Sequence, residues 1–430
     1  MSIEVCESPG SRISVADPTG ECKWAQQITA KVEVGSEEVI HQLAPCWREL
    51  CDETNSAPFQ RPEWITAYIR SFEPQSEVIL TTAYEDGRLT AVLPLVRKRS
   101  FCAGVPVVKL TGTANSHSIQ FDILRVPGPI GAQSTHAIWK SLECTNGWDV
   151  LELPMFAPGG GCSELVTLAR LSGYPTVALL IQNSPILRLR LNTDGRPAEI
   201  VGGPSRHFRH ELRRYARIFG EQTGEKPTVT RSVDPSDVLL RQFFDLEASG
   251  RKGREGSAIK CELETRSFYE EIAKVGNRNG YFCLHSLARK GKMVAGAFSV
   301  FTDSCFYPMK IAHDESLRRS APGHLLFNAI VAECAENQIP DLFFGGTDER
   351  FKAMWTQERV PLFRTFIFSS RLRARLAYHL RKSVLTPLGK LRWTVKTHLK
   401  REHIAKRRRT DSVIAPEKNG VEKHVSSVQE

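Results

Sequence analysis

The sequence predicts a mixed α/β (α+β) chain of two tandem domains, each a mixed twisted sheet flanked by helices, followed by a basic helical tail. Two hairpin signals support this prediction. Val78–Arg99 places apolar runs around Asp86-Gly87, and residues 281–314 repeat that pattern around Lys290-Gly291. A strand-like run, a helix and a short strand follow each hairpin. In a chain of 430 residues, long enough for two or three domains, this shared order indicates an internal duplication.

Helical signals precede each hairpin. Ile40–Glu53 has the spacing of an amphipathic helix, and a second helix is expected to begin at Pro62, a residue suited to a first turn. The N-terminal segment contains acids and a proline but no apolar core, so it does not have the pattern of a secretory signal. The predicted division is a disordered leader (1–35), an N-terminal domain (36–200), a C-terminal domain (201–370) and a tail that is helical and then disordered (371–430).

An arginine-rich helix is predicted between the two halves. Ser205 can cap it, and its apolar stripe consists of Phe208, Leu212, Tyr215 and Phe219. Five arginines occupy the remaining faces, namely Arg206, Arg209, Arg213, Arg214 and Arg217. They form either a solvated face or a basic wall beside an anionic ligand.

The net charge of +10 is concentrated in the tail. Residues 371–409 hold 14 Lys and Arg against one acid, so the remainder of the chain is close to neutral. No apolar run approaches the ~20 residues of a membrane span. The eleven cysteines are scattered without C-x-x-C pairs, which favours reduced thiols, a cytoplasmic location and no metal site.

A strand-to-helix junction is the first candidate site. Arg318 and Arg319 precede Ser320, Ala321 and Pro322-Gly323-His324, where a long apolar helix begins. A helix N-terminus with adjacent cations binds anions. There is no Walker sequence and no G-x-G-x-x-G, so the residues of those nucleotide sites are missing.

The phrase Arg318-x-x-Ala321-x-Gly323 resembles the pyrophosphate-binding turn of the GNAT acetyltransferases, with Ala321 in place of the first glycine and Pro322 between it and Gly323. Over 40–368 the chain resembles the CelD-like branch of that superfamily, a set of tandem-GNAT proteins related in architecture to the FemAB peptidyltransferases. Where that branch usually has Trp-Lys-Gly, this chain has Arg251-Lys252-Gly253. The phrases that carry the resemblance are APFQRPEWITAYIRSF, RHELRRYARIFGEQTG, FFDLEASGRKGREGSAI, FYPMKIAHDESLRRSAPGHLL and DLFFGGTDERFKAMW.

This resemblance implies direct acyl transfer from acetyl-CoA, or another acyl-CoA, to an amine or hydroxyl, with no metal. The implied acceptor is a small molecule or saccharide of exopolysaccharide or cell-envelope metabolism. Such chemistry needs a base for the acceptor and a donor for the oxyanion. Glu247 or Asp314 could be the base, and Lys310 in a strand-like run could neutralise the oxyanion. Four further residues are expected to bind the acceptor: Lys252, Asp348, Lys352 and Trp355.

The basic tail leaves alternatives open. Leu372, Leu376, Leu380 and Leu385 indicate one apolar side among cations, which suits contact of 371–409 with an anionic membrane at its cytoplasmic face. The tail could equally bind RNA or an acidic protein, or pack on the body. Two other functions therefore stay open: a FemAB-like transferase that uses aminoacyl-tRNA, and a non-catalytic GNAT pair that acts as a scaffold at the membrane.

Overall fold

The computed structural model describes residues 28–192, 196–201, 203–346 and 350–382. The first half contains strands β1 (Ile28–Gly35), β2 (Glu77–Glu85), β3 (Arg88–Cys102), β4 (Val105–Gly112), β5 (Leu124–Arg125), β6 (Val150–Phe156), β7 (Thr176–Arg190) and β8 (Glu199–Val201). Its helices are α1 (Glu38–Glu53), α2 (Pro62–Phe72), α3 (Gly128–Cys144) and α4 (Gly161–Leu171).

The second half repeats much of this order. Its strands are β9 (Val229–Ser232), β10 (Phe282–Arg289), β11 (Lys292–Phe301), β12 (Cys305–His313), β13 (Asp341–Phe343) and β14 (Arg359–Phe368). Its helices are α5 (Arg206–Thr223), α6 (Asp237–Ser249), α7 (Arg251–Arg254), α8 (Leu263–Arg278), α9 (Pro322–Glu336) and α10 (Arg350–Ala353), and α11 (Leu372–Leu380) follows.

Both predicted hairpins form around turns with left-handed backbone. Asp86 and Gly87 have φ of 49° and 82°, and Lys290 and Gly291 have 48° and 75°. Two consecutive residues with positive φ match the right-handed twist of the flanking strands, which is why Asp-Gly is a strong hairpin signal. Ser205 caps α5, because its hydroxyl accepts a hydrogen bond from the Phe208 N–H at 3.1 Å.

The strands form one mixed sheet that runs through both halves, in the order β1-β2-β3-β4-β6-β14-β7-β13-β12-β11-β10-β9. The last long strand of each half lies next to the other half: β14 pairs with β6, and β7 pairs with β13. This arrangement confirms the predicted fold class, a mixed twisted sheet with flanking helices, and it joins the two halves through the backbone.

The leader differs from expectation at its end. Residues 28–35 form β1, an antiparallel edge strand along β2, instead of belonging to a disordered segment. Its sequence alternates apolar and polar residues, and only Val32 is buried. Such half-exposed edge strands give a weak signal because few of their side chains enter the core.

The largest core cluster spans both halves where α2 packs on α8. Trp64 and Phe268 meet edge-to-face with ring centroids 5.3 Å apart, and both are fully buried. Burial of side chains of this size stabilises the fold by about 1.5–3 kcal/mol each. Within the described residues, no helix is long and apolar enough to cross a membrane.

Candidate active site

A cavity of about 490 Å³ lies along β12 in the second half. Residues 308–313 of β12 form one wall, Glu247 and Lys252 from α6 and α7 form another, and Phe344 with Lys352 closes a third. Three separate parts of the second half therefore meet at one opening.

The cavity exists because two parallel strands diverge. Strands β12 and β13 pair at Cys305↔Asp341 and Phe306↔Leu342, and residues 307–313 have no strand partner on that edge in the described part of the chain. Beyond β13, Gly345 and Gly346 both adopt left-handed φ, 57° and 62°, which glycine tolerates without a steric penalty. The wedge between the diverging strands is open to a ligand.

The corresponding place in the first half is filled. There the parallel pair β4–β6 continues to Thr111, directly before the end of β4 at Gly112. Phe121 closes this end: its N–H donates to the Met155 carbonyl at 3.0 Å, and its ring lies where a Cβ on Gly112 would fall. The two halves thus share an order of elements but only the second has the open wedge.

A β-bulge lies in the cavity wall. Phe298 pairs with Lys310 and Ser299 pairs with Pro308, so Met309 is an extra residue without an opposite partner. Pro308 has no N–H and Met309 lies outside the regular ladder. A bulge at this point supplies the kind of strand N–H that a developing oxyanion requires. The proline within an apolar strand was the sequence signal for this irregularity.

Glu247 is held rigidly at the cavity. Its side chain is only 1% exposed, its Oε1 lies 2.8 Å from Lys252 Nζ, and its Oε2 accepts the Ile259 N–H at 2.8 Å. Both carboxylate oxygens are therefore engaged. A carboxylate stabilised in this way is better suited to fixing Lys252 than to removing a proton.

Lys310 has a perturbed ammonium group that faces the cavity. Burial, and then repulsion from Lys252, lower the pKa of Lys310 to about 8, against the opposing charges of Glu247 and Glu262. Its Nζ lies 5.5 Å from the centroid of the Tyr269 ring. No hydrogen bond or ion pair engages this Nζ among the residues that the structure describes, so the group is available to a ligand.

His117 of the first half is close enough to Lys310 and Lys252 for their charges to act on it, and it was not predicted from the sequence. Its ring stacks on Phe72 at a centroid distance of 5.3 Å, and its Nδ1 lies 3.4 Å from the Tyr269 hydroxyl. Burial, followed by the cations Lys310 and Lys252, lowers the pKa of His117 to about 4. A lone histidine in a polar loop gave no local signal, because Tyr269 lies about 150 residues further along the chain.

The predicted phosphate-binding turn, residues 318–324, is called the phosphate turn below, and it leads directly into helix α9. Helix α9 begins at Pro322, and Ala321 before it has φ of 44°, while Arg318 and Arg319 are exposed. The Ser320 hydroxyl, by contrast, is buried and donates to the Leu317 carbonyl at 2.9 Å. A Cβ on Gly323 would lie 3.4 Å from His313 Nδ1, so little space surrounds that glycine.

Asp314 caps the turn that leads into this region. Its Oδ1 accepts the Ser316 N–H at 2.9 Å at the start of the 3-10 turn Glu315–Ser320. It does not belong to the cavity lining. Glu315 lines the cavity instead and pairs with Arg254 at 3.1 Å, which ties α7 to the phosphate turn.

His324 and Trp355 lie inside an aromatic cluster. Trp355 is fully buried, and its Nε1 donates to His324 Nδ1 at 3.2 Å. The His324 ring stacks on Phe351 at 4.5 Å, and burial, assisted by His313, lowers the pKa of His324 to about 4. Neither residue lines the cavity. Their contacts support the phosphate turn on the side that faces away from the cavity.

The structure therefore brings together four of the residues singled out from the sequence: Glu247, Lys252, Lys310 and Lys352 all line the cavity. Lys352 also donates to the Gly345 carbonyl at 2.7 Å. Asp348 lies outside the described residues. Nine cysteines are free thiols in the described part of the chain, and no group of His, Cys, Asp or Glu there could hold a metal ion.

Comparisons with known proteins find a domain family and solved structures that are similar to this chain. Residues 206–353, which contain the whole cavity lining, match the acetyltransferase (GNAT) domain family. The fold is similar to that of FemX, whose crystal structure matches with a TM-score of 0.52 at 12% identity, covering 79% of this chain and 98% of that chain.

Two further solved structures are similar at lower scores. A tandem GNAT protein from the clavulanic acid biosynthesis pathway has a TM-score of 0.40 at 14% identity, covering 79% of this chain and 100% of that chain. A C-terminal DUF2156 domain from Agrobacterium fabrum, assigned to a lysylphosphatidylglycerol synthetase, has 0.47 at 10%, covering 78% and 95%. No curated protein sequence matches the chain.

Proposed function

We propose that this chain is an acyltransferase that moves an acyl group from acyl-CoA to an amine or hydroxyl acceptor in the cavity beside β12. The observation that carries this proposal is the wedge between β12 and β13, which opens in the half that matches the acetyltransferase domain and is filled in the other half. Lys310, which has no ion pair among the described residues, and a bulged strand face the same wedge.

The proposed donor site runs from the phosphate turn to the bulge. Arg318, Arg319 and the N-terminus of α9 would hold the diphosphate of CoA, because exposed guanidinium groups and free helix N–H groups both favour anions. The thioester carbonyl would then lie near Met309, where the bulge offers a strand N–H to the oxyanion.

Lys310 is the proposed general base. With a pKa of about 8, a useful fraction of its amine is neutral near neutral pH, whereas both oxygens of Glu247 are already engaged. The amine takes the proton from the acceptor, the acceptor attacks the thioester carbonyl, and the carbon–sulfur bond breaks. The proton then passes from Lys310 to the departing CoA thiolate, which leaves as the thiol.

The acceptor class rests on the resemblance to the CelD-like branch, which favours a saccharide or amino sugar of the cell envelope. Lys252 and Lys352 on the cavity wall would suit an acceptor with acidic or hydroxyl groups. A cytoplasmic location, where acyl-CoA is made and thiols stay reduced, is part of the same proposal.

The test measures acetyl-CoA binding and CoA thiol release with a panel of amines and amino sugars. The double variant Arg318→Ala with Arg319→Ala should weaken acetyl-CoA binding about tenfold, equivalent to about 1.4 kcal/mol. The matched control is Arg278→Ala, which removes an exposed arginine from α8. Equal affinity of the double variant and the control would contradict the placement of the diphosphate, and no binding by the wild-type chain would contradict the function.

A further inference from the structure

We propose that the outer face of α11 is a docking surface for an anionic phospholipid bilayer. This docking surface consists of the apolar residues Leu372 and Leu376 and of the cations Arg373, Arg375 and Lys382. It lies outside the cavity lining and does not depend on the transfer chemistry.

Helix α11 is anchored by small residues and presents large ones outward. Ala374 and Ala377 are fully buried against Val105 and Phe368 of the sheet. The opposite face carries Leu372 and Leu376, which are 84% and 53% exposed. A surface helix of a globular protein normally places polar residues on its outer face, so leucines one turn apart there indicate a missing partner.

The charges around these groups select the partner. Residues 370–382 contain several cations and no acid, and the nearby Asp149 is buried and paired with Arg371 at 3.0 Å. Beyond the described residues the sequence continues with nine more Lys and Arg and one acid between 383 and 409. Cations interspersed with exposed leucines suit the headgroups and acyl boundary of an anionic membrane, while RNA would leave the apolar side chains without a partner.

Vesicle sedimentation with the full chain tests the proposal. Wild-type protein should bind vesicles of phosphatidylcholine with phosphatidylglycerol and bind vesicles of phosphatidylcholine alone far more weakly. The double variant Leu372→Asp with Leu376→Asp should reduce binding to the anionic vesicles about tenfold. The control Leu263→Asp changes a leucine that is 77% exposed on α8 and should bind like wild type.

Circular dichroism and thiol release check that each variant is folded. Thiol release should match the wild type, because none of the substituted residues lines the cavity. Unchanged binding by the Leu372/Leu376 variant would overturn the docking surface and assign binding to the charges of 383–409 alone. Wild-type protein that ignores anionic vesicles but binds single-stranded RNA through Arg373 and Arg375 would overturn the choice of partner.

Discussion

Replacement of Lys310 by methionine is expected to stabilise the folded chain at neutral pH while abolishing acyl transfer. The variant retains a long unbranched side chain next to Tyr269 but removes an ammonium group that has no hydrogen-bond partner in the described residues. Charged groups held in this way are costly to the fold and are retained where a site needs them.

The magnitude follows from the pKa of Lys310. Its value falls from 10.5 to about 8 on folding. Because one pH unit corresponds to 1.36 kcal/mol, the folded state loses up to about 3 kcal/mol by keeping this proton below pH 8. Between pH 8 and 10.5 the folded amine is neutral while the unfolded chain still binds the proton. The free energy of unfolding of the wild type therefore rises relative to that of the variant between pH 8 and 10.5. Above that range the two values converge.

Urea unfolding followed by tryptophan fluorescence, at several pH values from 7 to 10.5, measures this difference. The control Lys292→Met alters an exposed lysine at the start of β11 and should change the free energy of unfolding by less than about 0.5 kcal/mol. A Lys310→Met variant that is no more stable than wild type at pH 7, or whose advantage does not shrink with rising pH, would refute the reasoning.

Three other perturbations have defined outcomes. Glu247→Gln, which breaks the contact with Lys252, should slow thiol release at least about tenfold and lower the unfolding free energy by about 2 kcal/mol; normal turnover would show that this pair is dispensable. Trp355→Ala should cost about 3–5 kcal/mol in urea unfolding, because a fully buried indole is lost; a small cost would contradict its core position. Since the pKa of His117 is about 4, the folded state binds fewer protons than the unfolded chain between pH 6.5 and 4, so stability falls as the pH drops through that range. His117→Phe should weaken this dependence, and an unaltered pH profile of unfolding would exclude the histidine as its source.

Features that depend on adjacent residues could be predicted from the sequence. The Asp86-Gly87 and Lys290-Gly291 turns, the start of α9 at Pro322 and the Ser205 cap all form as expected. Each is decided within four or five residues by backbone sterics or one short hydrogen bond. The order of these local elements also carried the prediction of two similar halves.

Features that depend on distant residues could not be predicted. Exchange of β7 and β14 between the halves depends on pairing partners far apart in the chain. His117 meets Tyr269 only after both halves have packed. Trp355 was expected to bind an acceptor, but the structure places it in the aromatic cluster with His324 and Phe208. The sequence position of a tryptophan does not indicate whether its side chain faces a cavity or the core.

Similar element order also concealed a difference between the halves. Parallel pairing continues to Thr111 in the first half and stops at Phe306 in the second, only two residues into β12. Phe121 and Pro154 both lie within reach of a Cβ on Gly112, so no space is left for a ligand there. A chain with two related halves is thus expected to have one donor site.

Isothermal titration of the full chain with acetyl-CoA tests this central claim most directly, because it reports both affinity and stoichiometry. We predict one acetyl-CoA per chain, with the affinity reduced in the Arg318→Ala, Arg319→Ala double variant. Two sites per chain would contradict the closed first half, and an absence of binding at millimolar acetyl-CoA would contradict acyl-CoA-dependent transfer itself.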